Sequence, residues 1–457
     1  MSAEVVTGLG VSPGTGVGVV QLMAPRLGPP RTQTLTENGE SEAAGGVPEL
    51  REPTVLIARD LSAADAAGLN PDLVAGLITE AGGPMSHTSI VARSLGIPAV
   101  VAAGATALRT GMRVRVDGGT GRVRVADVTE SPARSTAAPA AQRSVGGTRT
   151  ADGYPVELLG NVGDAAGAAE VAACEADGIG LFRTELAFRT RTRQPSIEVQ
   201  ARLYSSVLAE VPERKVILRT LDTGTDTTMP PSHGLGERNP ALGVRGYRAT
   251  TNLLEDQLRA IAIAARVQDV DPWVMAPMIS TPAEARGFRM IARRYGISRA
   301  GVMIEVPAAA VMADAILAEC DFVSIGTNDL TQYTMAADRE LGAVAELNDP
   351  WQPAVLRLVR TVAVAGTAHG KPVGVCGEAA ADPLLACVLV GLGVTSLSMS
   401  PRALPAVAEA IGESDHGQCQ AMAVAALGAS SASAARAAAR HALATADLRT
   451  PEPTHRA

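Results

Sequence analysis

From residue 152 onward the chain alternates short apolar runs with longer stretches of helical period. Eight runs recur: Val156–Asn161, Gly178–Arg183, Val216–Arg219, Trp273–Met278, Gly301–Glu305, Phe322–Gly326, Pro372–Cys376 and Ser396–Met399. Helical segments such as Asp256–Val267 and Pro353–His369 lie between them. Eight parallel strands with crossover helices over roughly 260 residues predict a (β/α)8 barrel, with a doubly wound open sheet as the rival. The polar residues decide between the two. Strand after strand ends in a reactive or charged group: Asn161; Arg183 and Glu185; Arg219 and Asp222; Glu305; Asn328 and Asp329; Cys376 and Glu378. Groups gathered at the carboxyl ends of the strands are the mark of a barrel whose βα loops form a site.

The first third of the chain reads differently. Short strands are expected at Gly16–Leu22, Thr54–Ala58, Val74–Thr79 and Pro98–Ala102. A hairpin follows, Met112–Asp117 with Arg122–Ala126, turned by Gly118-Gly119-Thr120-Gly121. Its valines, Val114, Val116, Val123 and Val125, can share one face, leaving Arg113, Arg115, Arg122 and Arg124 on the other. One helix is expected from His87 to Leu95, stopped by Gly96 with Pro98 beyond it. Residues 24–52 and 128–150 are rich in Pro, Gly, Ser, Thr and Ala without hydrophobic period, and read as linkers. The expected organisation is a small domain over 1–127, a linker over 128–150, a barrel over 151–415 and an Ala-rich helical tail over 416–457.

Composition narrows the function. Only 2% of the 457 residues are aromatic and the formal charge is −7, which argues against a base-stacking or phosphate-backbone nucleic-acid binder. Lys215 and Lys371 are the only lysines, so the positive charge is nearly all arginine, suited to bidentate grips on phosphate and carboxylate. The five cysteines are scattered without metal-ligand spacing. The longest apolar stretch, Leu384–Val394, falls short of the ~20 residues needed to span a bilayer. With no secretory signal at the amino terminus, a reducing cytoplasm, free thiols and no membrane association are expected.

Gly82-Gly83-Pro84-Met85-Ser86-His87-Thr88-Ser89 carries the first candidate chemistry. A glycine pair follows a buried strand and a polar cluster opens a helix, whose free N–H groups and dipole favour an anion. A phosphate on His87 would sit in that field, with Ser86, Thr88 and Ser89 as hydroxyl donors. The plainer alternative is a helix cap beside an exposed histidine.

The segment GGPMSHTSIVARSLGIPAV (82–100) resembles the phosphohistidine motif of phosphoenolpyruvate-utilising enzymes. GIGLFRTE (178–185), RTLD (219–222), NPALGVRGYR (239–248), APMIS (276–280), GVMIEVPAA (301–309), SIGTNDLTQYTMAADR (324–339) and GVCGE (374–378) are similar to segments of Enzyme I. Enzyme I is the phosphoenolpyruvate–protein phosphotransferase of the bacterial sugar-uptake phosphotransferase system. The resemblance implies an α/β protein: a small swivelling phosphohistidine β/β/α domain followed by a (β/α)8 TIM barrel that binds phosphoenolpyruvate. It implies that His87 is phosphorylated on Nε2 with release of pyruvate, and that an HPr-like phosphocarrier then accepts the phosphoryl group. Arg183, Arg219, Arg245 and Arg339 would grip the substrate's phosphate and carboxylate, with Asn328 as a further contact. Glu305 and Asp329 would hold Mg²⁺, two hard carboxylates leaving room for water and substrate oxygens. Cys376 would protonate the enolate carbon as general acid. A homodimer through the barrel is implied as well.

Two departures stand out. Enzyme I carries a long helical insertion that docks HPr, and here the corresponding space is only the linker of residues 24–52. Thr227 stands where the family has a lysine, and Pro84 and Met85 replace the usual residues before Ser-His. Rival functions are a subunit of a pyruvate-phosphate dikinase or phosphoenolpyruvate synthase, and a non-catalytic paralogue that senses phosphoenolpyruvate.

Overall fold

The computed structural model describes residues 4–23, 48, 50–59, 61, 65, 69–80, 82–83, 86–102, 104–105, 108–127, 130, 133–135, 144–188, 194–222, 239–249, 251–339 and 341–447. Most of the 24–52 linker, Pro84 and Met85, and the stretch with Thr227 lie outside them. The chain divides into two compact units. One comprises residues 1–139 with 337–348, the other residues 140–336 with 349–457.

The first unit is built on β1 (Glu4–Thr7), β2 (Leu9–Ser12), β3 (Thr15–Leu22), β4 (Thr54–Ala58), β5 (Val74–Thr79), α1 (His87–Leu95), β6 (Ala99–Val101), β7 (Arg113–Asp117), β8 (Arg122–Val125) and β9 (Ala133–Ser135). The strand order is β1-β8-β7-β3-β4-β5-β6-β2, with β9 added to β3. The centre of this sheet, β3 to β6, is parallel. Strand β4 shows why it forms: Val55 and Ile57 enter one apolar cluster, Leu56 and Ala58 the other. Alternate residues thus bury both faces. In the hairpin, Val114 faces Val125 and Val116 faces Val123, as the pattern predicts. Arg115 and Arg124 are also directly opposed, and Glu130 relieves their repulsion with ion pairs of 3.1 and 2.7 Å. Strand β9 falls inside the stretch read as a linker.

The second unit alternates strands and helices: β10 (Glu157–Val162), α2 (Ala165–Ala173), β11 (Gly178–Arg183), α3 (Ile197–Ala209), β12 (Lys215–Arg219), α4 (Thr251–Gln268), β13 (Trp273–Ala276), α5 (Pro282–Arg294), β14 (Ala300–Ile304), α6 (Pro307–Val311), α7 (Ala313–Glu319), β15 (Val323–Ile325), α8 (Thr327–Met335), α9 (Pro353–His369), β16 (Val373–Val375), α10 (Pro383–Gly391), β17 (Ser396–Met399), α11 (Leu404–Glu413), α12 (His416–Leu427) and α13 (Ala432–Asp447). The eight strands from β10 to β17 are all parallel, and β10 pairs with both β11 and β17. The sheet is closed, which eliminates the open-sheet rival. Strand β13 stops at Ala276, short of the expected Met278, which lies beyond Pro277 at φ 57°. Proline offers no N–H to the ladder, and a positive φ leaves the strand.

Leu181, Ile217, Met275, Met303, Phe322 and Cys376 pack the lumen. At its floor Lys215 Nζ sits 4.5 Å from the Trp273 ring centroid, and Trp273 leans on Phe322 at 4.8 Å. The Ala-rich tail belongs to this unit. Cys419, Met422, Ala423 and Ala426 of α12, with Ala435 and Ala439 of α13, are buried in the core that surrounds the barrel. Helices α10 and α12 approach so closely that a Cβ on Gly391 would lie 2.0 Å from the Cys419 carbonyl oxygen. No helix among the described residues is long and apolar enough to cross a membrane.

Candidate functional site

Barrel geometry brings the strand-end residues together. Arg183 and Arg219 are the last residues of β11 and β12, and Glu305 follows β14 directly. Asn328 and Asp329 lie in the first turn of α8, and Cys376 follows β16. Each strand delivers its final side chain to the same end, so five separate stretches of sequence converge there.

The cations are held by carboxylates. Arg219 pairs with Glu185 at 2.9 Å, and the same Glu185 oxygen accepts from the Asp222 backbone N–H at 3.2 Å. Arg245 donates through Nε and Nη2 to the two oxygens of Asp222, at 3.2 and 2.6 Å, a bidentate grip. Its Nη1 reaches Asp329 at 3.1 Å and the Tyr333 hydroxyl at 2.8 Å. Burial opposes the charge on both Arg219 and Arg245, but the surrounding carboxylates outweigh it and raise their pKa values above the ordinary arginine value. Arg183 differs: burial and the neighbouring Arg219 push its pKa below the usual value. It is the cation of this group whose charge is least compensated.

Glu305 is almost wholly buried, and its Oε1 accepts from the Met278 N–H at 2.7 Å. The positive φ of Met278 turns that N–H to the carboxylate. Burial, and then the nearby Asp329, raise the Glu305 pKa. Two buried carboxylates that repel each other are chemically suited to a hard divalent cation. Among the described residues no cluster of three His, Cys, Asp or Glu side chains is assembled for a metal. A cation here would draw its remaining ligands from water and a bound anion.

Burial raises the Cys376 thiol to about 11, with the hydrogen bond from Ser324 opposing and Glu305 adding to it. The sulfur also contacts the Ile325 carbonyl oxygen at 3.6 Å. The group is therefore a protonated thiol at neutral pH. The Asn328 side-chain Oδ1 accepts from the Glu378 N–H at 3.1 Å, joining two parts of the site. Asn161 Nδ2 reaches the carbonyls of Cys376 and Ser398, each at 3.3 Å.

Three participants had no role in the sequence reading. Tyr333 stands one helical turn after Asp329, on the same face of α8, which is a signal that spacing carries. Gln257 donates to Thr184 and Tyr204 at 3.0 Å and accepts from the Leu221 N–H at 2.9 Å, bracing the β11 and β12 ends. Glu185 was legible only as a polar strand-end residue, and its second oxygen is buried without a partner.

Arg339 lies in the 337–348 segment, which belongs to the first unit. His87 is the first residue of α1, and its side chain lies outside the described residues. Ser86, Thr88 and Ser89, the expected hydroxyl donors, make internal hydrogen bonds. Ser86 caps α1 by accepting from the Ser89 N–H at 3.3 Å. Ser89 donates to the Gly83 carbonyl at 2.7 Å, and Thr88 donates to the Leu61 carbonyl at 3.3 Å. All three residues are buried, and of their hydroxyls it is that of Ser89 that fixes the glycine loop.

Comparison with known proteins adds an independent line. Residues 138–416 match the family described as PEP-utilising enzyme, PEP-binding domain, and residues 50–121 match the PEP-utilising enzyme mobile domain. A phosphoenolpyruvate-protein phosphotransferase of Streptomyces coelicolor is 49% identical over 86% of this chain and 73% of its own length. One from Haloferax volcanii is 40% identical over 80% of this chain and 68% of its own. A multiphosphoryl transfer protein of Xanthomonas campestris is 39% identical over 82% of this chain, which spans 47% of that longer protein.

Proposed function

Because the chain belongs to the PEP-utilising enzyme family, in its phosphoenolpyruvate–protein phosphotransferase (Enzyme I) branch, we propose that it transfers the phosphoryl group of phosphoenolpyruvate to His87 and releases pyruvate. The observation that carries the reading is the convergence of Arg183, Arg219 and Arg245 with Glu305, Asp329 and Cys376 at one end of a closed barrel.

Arg183 and Arg219 meet the phosphate and carboxylate of the substrate, with Asn328 and Arg339 as further candidate contacts. Arg245 holds Asp222 and Asp329 in place. Glu305 and Asp329 would hold Mg²⁺, whose charge, when bound, offsets that of the phosphate. In the transfer the bridging P–O bond of phosphoenolpyruvate breaks and an N–P bond forms at Nε2 of His87. The electron pair left on the substrate is an enolate, and its terminal carbon takes the proton of the Cys376 thiol to give pyruvate. The thiolate recovers its proton from solvent. A thiol kept protonated by burial suits an acid better than a nucleophile.

The acceptor is an HPr-like phosphocarrier. On the same family basis the reading includes a cytoplasmic homodimer that meets through its barrels. The test is incubation of the pure chain with labelled phosphoenolpyruvate and Mg²⁺. Acid-labile label is expected on the wild type and is expected to vanish in His87→Ala. Label at the wild-type level in His87→Ala overturns the reading.

A further inference from the structure

One cluster outside the site ties the C-terminal helix to one of the loops that build it. Asp382 ends the short turn 378–381, four residues after Glu378, and its Oδ1 caps α10 by accepting from the Leu384 and Leu385 N–H groups at 3.1 and 3.3 Å. Its Oδ2 accepts from the indole N–H of Trp351 at 2.9 Å. Asp349 is the first residue of the barrel unit after the 337–348 segment, and its Oδ1 accepts from the Trp351 N–H at 2.9 Å. Trp351 itself is fully buried. These two carboxylates carry like charge, and burial together with Asp382 acts to raise the Asp349 pKa.

A single arginine from α13 stands between them. Arg436 Nη2 is 3.8 Å from Asp349 and 3.9 Å from Asp382, and its guanidinium lies 5.4 Å from the Trp351 ring centroid. These are shared-charge distances rather than hydrogen bonds, so the arginine acts as a common counter-ion for both loops. Without it, Asp349 and Asp382 repel across the indole that joins them. The loop that ends at Asp382 runs back to Glu378 and Cys376.

We propose that Arg436 is a positioning residue. By clasping Asp349 and Asp382 it fixes, from the C-terminal helix, the loop that aims Cys376. The inference rests on the phosphotransferase reading above. Arg183 and Arg219, which meet the substrate, lie on other loops, so the clasp governs the protonation step rather than substrate capture.

The experiment is steady-state and single-turnover phosphorylation of the full chain, comparing the wild type with Arg436→Gln and Arg436→Lys. Arg436→Gln is expected to lower kcat about five- to tenfold, with KM for phosphoenolpyruvate within twofold, since small misplacements of reacting groups are costly. Tm is expected to move by no more than about 2 °C, because the pair is partly solvated. Arg436→Lys is expected to restore at least half of kcat. A kcat for Arg436→Gln within twofold of wild type overturns the proposal, whatever happens to Tm. So does a large rise in KM at unchanged kcat. Trp351 fluorescence, read in a Trp273→Phe background, keeps the two ideas separable. If the wild type takes no label, the phosphotransferase reading fails; emission unchanged by Arg436→Gln would then overturn the clasp by itself.

Discussion

Replacing Glu305 with glutamine should inactivate the protein and, in the absence of metal, make it more stable. The carboxylate is almost wholly buried, and burial and Asp329 both work against its charge. Removing an uncompensated buried charge is worth about 3–5 kcal/mol. Arg219 and Arg245 compensate part of it, which leaves about 1–3 kcal/mol as the gain. The amide keeps the one contact made through Oε1, because its carbonyl can still accept from the Met278 N–H. At about 2 °C per kcal/mol for a domain of this size, the rise in Tm is about 2–6 °C. The sign with pH follows from linkage. A carboxyl whose folded pKa is raised stabilises the fold below its unfolded value, about 4.3, and loses that contribution as pH climbs through the folded value. The advantage of Glu305→Gln should therefore be small at pH 4.5 and largest above neutrality. Calorimetric scans in EDTA at pH 5 and pH 8 measure it, and added Mg²⁺ should raise Tm for the wild type alone. A variant no more stable than wild type at pH 8, or a gap equal at both pH values, would refute the reasoning.

Two further outcomes are expected. A Cβ on Gly326 would lie 2.7 Å from Glu305 Oε2 and 3.1 Å from the Met303 sulfur, so Gly326→Ala should displace the carboxylate. Calorimetric titration should show Mg²⁺ affinity reduced at least tenfold and stability lowered by about 1–3 kcal/mol; unchanged affinity would remove the metal assignment. Residues 23–53 are all that joins β3 to β4, where the family's helical insertion docks HPr. Phosphoryl transfer from the loaded chain to HPr should be orders of magnitude slower than self-phosphorylation, and rapid transfer in a stopped-flow mixture would sink that expectation.

The barrel was the legible part. Strands β11 and β17 and helix α9 fall where the pattern predicts, because fully buried parallel strands read as unbroken apolar runs. The small strands were harder. Ala133-Arg134-Ser135 has no strand signal of its own and pairs only because β3 offers it a backbone edge. Helix α4 begins at Thr251, five residues before the expected Asp256, since Thr251 and Asn252 carry no apolar period. Within the site, residue types were visible but their partners were not. Nothing in Asp222, Arg245 and Asp329 as letters says that one guanidinium spans both carboxylates, for that depends on closure of the barrel. The buried hydroxyls of Ser86, Thr88 and Ser89 likewise turn on backbone carbonyls that no sequence motif displays.

Closure of β10 on β17 also sets a timetable for biosynthesis. Leu159 and Gly160 pair with Ser398 and Met399, so the first barrel strand waits for the last across roughly 240 residues. At ribosomal speeds of about 5–20 residues per second, β10 keeps an unpaired edge for about 10–50 s while its neighbours accumulate. An unpaired edge of this kind is a template for pairing with other chains. Crowded overexpression at higher temperature should therefore lose this protein to aggregation during synthesis, and slower translation alone would not help, because it lengthens the wait.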